Sequence, residues 1–70
     1  MSPEDFEFIS SLIRSRSGLV LTPDKAYLLE SRLMPVARKH GLKGLDDLIN
    51  QLRTRKEEAQ IVEVTEAMTT

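Results

Sequence analysis

The residues able to do chemistry in this chain are sparse, and they favour binding over catalysis. His40 is the single histidine and cysteine is absent. That removes thiolate nucleophiles, thiolate metal sites and a disulfide framework together. Two carboxylate pairs, Asp46/Asp47 and Glu57/Glu58, are adjacent in sequence, so on a helix they diverge by about 100° instead of converging on one reacting atom. The three glycines stand apart at 18, 41 and 44, which is helix punctuation and not a phosphate loop. No catalytic residue and no metal ligand set emerges. Anion recognition is the chemistry that remains: Arg32, Arg38, Lys39 and Lys43 fall between residues 31 and 43, with Ser31 and Pro35 among them and no acid.

That window stands out against its flanks. Residues 1–30 carry three bases against five acids, and residues 44–70 three against six. A basic window between acidic stretches steers a negatively charged ligand. The overall net charge of −1 excludes wholesale nucleic-acid binding, including by a helix-turn-helix, which calls for a basic domain. The order of charge in residues 1–16, acids first and arginines last, is the reverse of a signal peptide. No apolar run approaches the roughly 20 residues of a membrane span. With no cysteine, the chain is expected to work in a reducing compartment, the cytoplasm, without direct membrane binding.

Four helices are needed to position the window. Ser2, Pro3 and Asp5 give a cap, a first helical proline and a capping-box arrangement. Phe6, Ile9, Leu12 and Ile13 follow at helical spacing, with Phe8 beside them. Gly18 stops this helix, and Leu19-Val20-Leu21 is an extended connector whose side chains plug the bundle. Thr22-Pro23-Asp24 caps a second helix. Its core face is Ala26, Leu29, Leu33, Val36 and Ala37, and its opposite side is Leu28, Ser31, Arg32, Pro35, Arg38 and Lys39. Gly41 ends it. The cations of its last turn also suit the negative end of the helix dipole, so part of the basic window has a structural use. Pro35, inside this helix, removes one hydrogen bond and predicts a kink. Leu45, Leu48, Ile49 and Leu52 make a third helix with Asp46 and Asp47 in its first turn. Thr54 is expected to cap a fourth, whose apolar side is Ile61, Val62, Val64 and Met68. The expected fold is an all-α single domain over residues 1–70, without a sheet. With no stop signal after Lys56, it looks cut from something longer.

The run Phe6, Ile9, Leu12-Ile13, Ser17-Gly18-Leu19-Val20-Leu21, Lys25, Leu29, Ser31-Arg32-Leu33, Gly41-Leu42, Leu45, Leu48 and Leu52, closing on Met68-Thr69-Thr70, resembles the N-terminal domain of CheR-type chemotaxis receptor methyltransferases. The resemblance covers essentially the whole chain in order and spacing. It implies a full-length S-adenosylmethionine-dependent enzyme that methylates glutamates on chemoreceptor helices during chemotactic adaptation. In that enzyme a helical domain precedes an α/β catalytic domain. The present residues would be the substrate-recognition part, inactive alone and binding no cofactor tightly.

Thr69 and Thr70 match the opening of the family's Thr-Thr-Asn motif and would lie next to the cofactor. The family's second helix presents arginines at a spacing of three to the acidic receptor region. Those positions are Arg32, Pro35 and Arg38, so the middle one departs from the pattern, and Lys39 stands near Arg32 on the helix. The implied partners are acidic cytoplasmic receptor helices and the protein's own catalytic domain. A stand-alone helical adaptor for another signalling protein is the alternative reading.

Overall fold

Four α-helices make up the computed structural model, which describes residues 1–69, and no strand occurs among them. The first, α1, runs Pro3–Ser17, and the Ser2 hydroxyl accepts from the Asp5 amide at 3.1 Å. Gly18 ends it in the left-handed region (φ 80°), its amide bonding the Arg14 carbonyl at 2.8 Å. The connector that follows is neither helix nor strand. Leu19 and Leu21 turn inward against the core while Val20 stays 61% exposed.

A 3₁₀ turn (Pro23–Lys25) leads into α2 (Ala26–Lys39), which runs unbroken through Pro35. After it, Gly41 (φ 72°) makes a double return: its amide bonds the Arg38 carbonyl at 3.0 Å, and the Leu42 amide bonds that of Ala37 at 2.9 Å. This pair satisfies carbonyls that the helix end leaves open. Next come α3 (Leu45–Arg55) and α4 (Glu58–Thr69).

The centre of the bundle is α2, packed against both α3 and α4, while α1 closes the other side on the same two helices. Ile9, Ile13, Leu29, Leu33, Val36, Ala37, Leu48, Ile49, Leu52, Ile61, Val64 and Met68 form one apolar cluster in a body of 27 × 22 × 21 Å. Each buried aliphatic side chain contributes about 1.5–3 kcal/mol by leaving water. Polar contacts fix the helix ends: Arg53 Nη2 donates to Asp5 Oδ1 at 3.1 Å and lies over the Phe8 ring at 4.9 Å. Arg16 on α1 pairs with Glu58 on α4.

Several local expectations are corrected. Thr22 does not cap α2; its hydroxyl donates to the Asp24 carboxylate, and the chain spends one 3₁₀ turn before the α-helix begins at Ala26. An ionised acceptor two residues away competes successfully for that hydroxyl, and the contact holds the Asp24 carboxyl below its ordinary range. The Asp5 side chain turns to Arg53. Thr54 lies inside α3 and donates to the Asn50 carbonyl at 2.8 Å, so it caps nothing. The reversal into α4 is made instead by Lys56 in the left-handed conformation (φ 53°). Ala26 is half-buried at the edge of the core, and Val62 is 42% exposed.

Candidate functional site

The five residues singled out on the second helix are all exposed on α2, but they divide into two rows. At about 100° per residue, Ser31, Pro35 and Arg38 fall within about 60° of one another, directly opposite Leu29, Leu33 and Val36. Arg32 and Lys39 lie within about 20° of each other and about 100° round from Ser31. The second row faces toward α4, and the contacts there show it. Lys39 Nζ donates to Glu63 Oε2 at 2.7 Å, and His40 Nε2 lies 2.6 Å from Glu63 Oε1.

Glu63 therefore shapes the electrostatics of the site. The Lys39 ammonium first, and His40 second, hold its carboxyl below the usual range. In return the charge of Lys39 is locally answered, which makes it a poor substitute for a cation at position 35. Arg38 and Lys43 make no ion pair among the described residues, and they carry the outward positive field of the window. An exposed pair with either is worth at most about 1 kcal/mol, so recognition here depends on several groups acting along one line.

Proline at 35 has a local consequence. It has no N–H, so the Ser31 carbonyl, four residues earlier, lacks its helical donor. Both residues are exposed, which places a backbone acceptor without its usual helical donor, and the Ser31 hydroxyl, midway along the outward row. One turn before Ser31 on the same row stands Tyr27, 64% exposed. Sequence reasoning passed over Tyr27, although its position opposite the Leu29–Leu33 face was readable from spacing alone.

Three grooves mark the surface. One of about 470 Å³ runs beside α2 and is lined by Glu30, Met34, Lys43, Asp46 and Asp47, with Met1 at its end. Its walls carry three carboxylates, one lysine and the Met1 ammonium, which lies 3.9 Å from Asp46 Oδ1. A second groove lies between the start of α1 and the 3₁₀ turn, on Pro3, Phe6, Pro23 and Ala26. A third, of about 230 Å³, follows α4 past Arg16, Val62, Thr65 and Glu66. No cluster able to hold a metal ion occurs among the described residues.

At the other end of the bundle, Thr69 is exposed and its hydroxyl donates to the Thr65 carbonyl at 3.1 Å. That leaves it acceptor lone pairs only, and no fit to a cofactor follows from it. Thr70 lies outside the described residues. Two further polar residues gave no signal in the sequence. Glu63 gathers two cations from a neighbouring helix, and Gln60 is buried between α3 and α4, donating to Gln51 Oε1 at 3.0 Å while its own Oε1 has no partner.

Comparison with known proteins gives a consistent answer. Residues 4–69 match the family described as "CheR methyltransferase, all-alpha domain". A chemotaxis protein methyltransferase of Vibrio anguillarum is 34% identical over 70 residues, covering 100% of this chain and 26% of that protein. Chemotaxis protein methyltransferase 1 of Vibrio cholerae is 33% identical over the same span. Chemotaxis protein methyltransferase 1 of Pseudomonas aeruginosa is 33% identical over 66 residues, covering 94% of this chain and 24% of its own length. The chain thus spans about a quarter of the length of the curated relatives it matches. No solved structure matches the chain. No described helix is long and apolar enough to cross a membrane.

Proposed function

Because the chain belongs to the CheR methyltransferase all-alpha domain family, we propose that it is the substrate-recognition part of a cytoplasmic S-adenosylmethionine-dependent protein-glutamate O-methyltransferase. Its partner is an acidic helix of a chemoreceptor, and its role is to hold that helix while one glutamate becomes a neutral ester. The observation that carries this reading is the exposed basic stretch at the end of α2 and just beyond it, where Arg38 and Lys43 stand without an ion pair among the described residues. Long-range attraction speeds encounter and fixes orientation more than it adds affinity. An acidic helix fits that role better than a neutral one.

Catalysis and cofactor belong, in this reading, to a catalytic domain of the same protein. Thr69, exposed at the end of α4 with its hydroxyl donating to its own helix, would adjoin the cofactor without holding it. The exposed Val62 side of α4, beside the groove past Thr65, is the face for that catalytic domain.

Titration of the isotope-labelled chain with a helical peptide bearing paired glutamates tests the recognition role. Amide shifts gathered on residues 31–43, fading as salt is raised, are expected, because surface attraction is screened within about 10 Å at 0.1 M salt. Arg38→Glu should weaken binding about five-fold, the equivalent of one exposed pair. A folded chain that shows no shifts would leave the adaptor reading in its place.

A further inference from the structure

We propose that the outward row of α2 reads a partner helix at three points. Tyr27 packs against an aliphatic side chain, the Ser31 carbonyl accepts a hydrogen bond from an uncharged amide, and Arg38 pairs with a carboxylate. The proposal rests on the acidic-helix reading above and adds which residues the helix must present.

Tyr27, Ser31 and Arg38 lie within about 40° of one another and span about 16 Å along α2, a line long enough for three turns of a second helix. Tyr27 is the most exposed aromatic of the chain, since Phe6 and Phe8 are half-buried. A tyrosine contributes a large contact area with few rotatable bonds, which is why it anchors interfaces. Midway, Pro35 deprives the Ser31 carbonyl of its helical donor. In the free protein water serves that oxygen. A helix laid along the row removes the water and must supply a donor or leave the oxygen bare, which is where specificity arises. A carboxylate at that point can accept from the Ser31 hydroxyl but has no donor for the carbonyl and leaves it bare, and a leucine offers nothing. The flanks settle the lateral position. On one side Glu30, Asp46 and Asp47, partly offset by Lys43 and the Met1 ammonium, line the groove; on the other lie Arg32 and Lys39, the latter answered by Glu63, so an acidic helix is biased toward that second side. The occupant is therefore an acidic helix with a leucine-like residue at one end, a carboxylate about eleven residues away and a glutamine-like residue between them.

Three designed helical peptides test this. They share the leucine and the glutamate and differ only at the central position, which is Gln, Leu or Glu. With the wild-type chain the Gln peptide should bind about five-fold more tightly than the other two, the net value of one hydrogen bond. Pro35→Ala returns an N–H to the Ser31 carbonyl and should erase that preference while leaving binding in place. Tyr27→Ala should weaken all three peptides alike. Peptides that bind the wild type, lose affinity on Arg38→Glu and yet show no central preference, or keep it in Pro35→Ala, overturn the proposal and leave the acidic-helix reading intact. Binding by none of the three to a folded wild-type chain overturns both.

Discussion

Glu63 accepts from Lys39 Nζ at 2.7 Å and lies 2.6 Å from His40 Nε2, so one carboxylate on α4 ties down the last turn of α2. Its carboxyl is held below the ordinary glutamate range, by Lys39 first and His40 second. A carboxyl whose folded value is depressed stabilises the fold above its unfolded value, near 4.3, and loses that contribution as the pH falls through the lower folded value. Glu63→Gln keeps the shape and removes the charge. At pH 7 the wild type should be more stable than this variant by up to about 1 kcal/mol. The difference should narrow below about pH 4 and close once the carboxyl is protonated. Urea unfolding at a series of pH values reads it directly, and a gap that does not change with pH would mean the pair contributes nothing.

At the scale of elements, turns governed by a backbone requirement were legible in the sequence, and turns governed by a side chain's choice of partner were not. Gly18 and Gly41 were readable because both sit at positive φ, 80° and 72°, where a Cβ is penalised. Pro3 was readable for the same kind of reason, its ring fixing φ at the first helical position. Thr22 and Thr54 were misread because a hydroxyl has more than one local acceptor in reach. Thr22 chose the Asp24 carboxylate and Thr54 the Asn50 carbonyl, a decision that capping statistics do not contain. Lys56 takes a left-handed φ of 53° without being glycine, so no breaker marked that turn.

The glycines allow a direct comparison. A Cβ at Gly41 or at Gly44 meets nothing within 4 Å, so backbone conformation alone decides the outcome. Gly41→Ala should cost about 1 kcal/mol. Gly44→Ser should add a few tenths of a kcal/mol, because Gly44 is extended (φ −174°) and opens α3 without a side-chain cap. Thermal melts of the two variants against the wild type check the opposite signs.

Over the whole molecule, the apolar stripes of the four helices were legible almost residue by residue, since 3.6-residue periodicity maps directly onto burial in a bundle. The third helix is the clearest case: Leu45, Leu48, Ile49 and Leu52 are all buried. The candidate site was legible in its charge and not in its geometry. Composition marks out residues 31–43, but the answering of Lys39 by Glu63 is a contact across 24 positions, and only the packed bundle creates it. Small size makes the core unforgiving. A 70-residue chain holds about 4–10 kcal/mol in total, and Leu48→Ala, at a side chain with 0% exposure, should remove about 2–5 kcal/mol of it. Circular dichroism should show the midpoint lowered by at least about 10 °C. A fall of a degree or two would mean that the bundle is looser than its burial indicates.

Tyr27 also gives the molecule an optical property. It is the single tyrosine, and tryptophan is absent, so ultraviolet emission at tyrosine wavelengths comes from one phenol that is already 64% exposed in the native state. Most of that ring is therefore in water both before and after the bundle melts. A helix laid across it alters its quantum yield at once. The chain's own light thus comes from the outward side of α2 and reports whether that side is occupied.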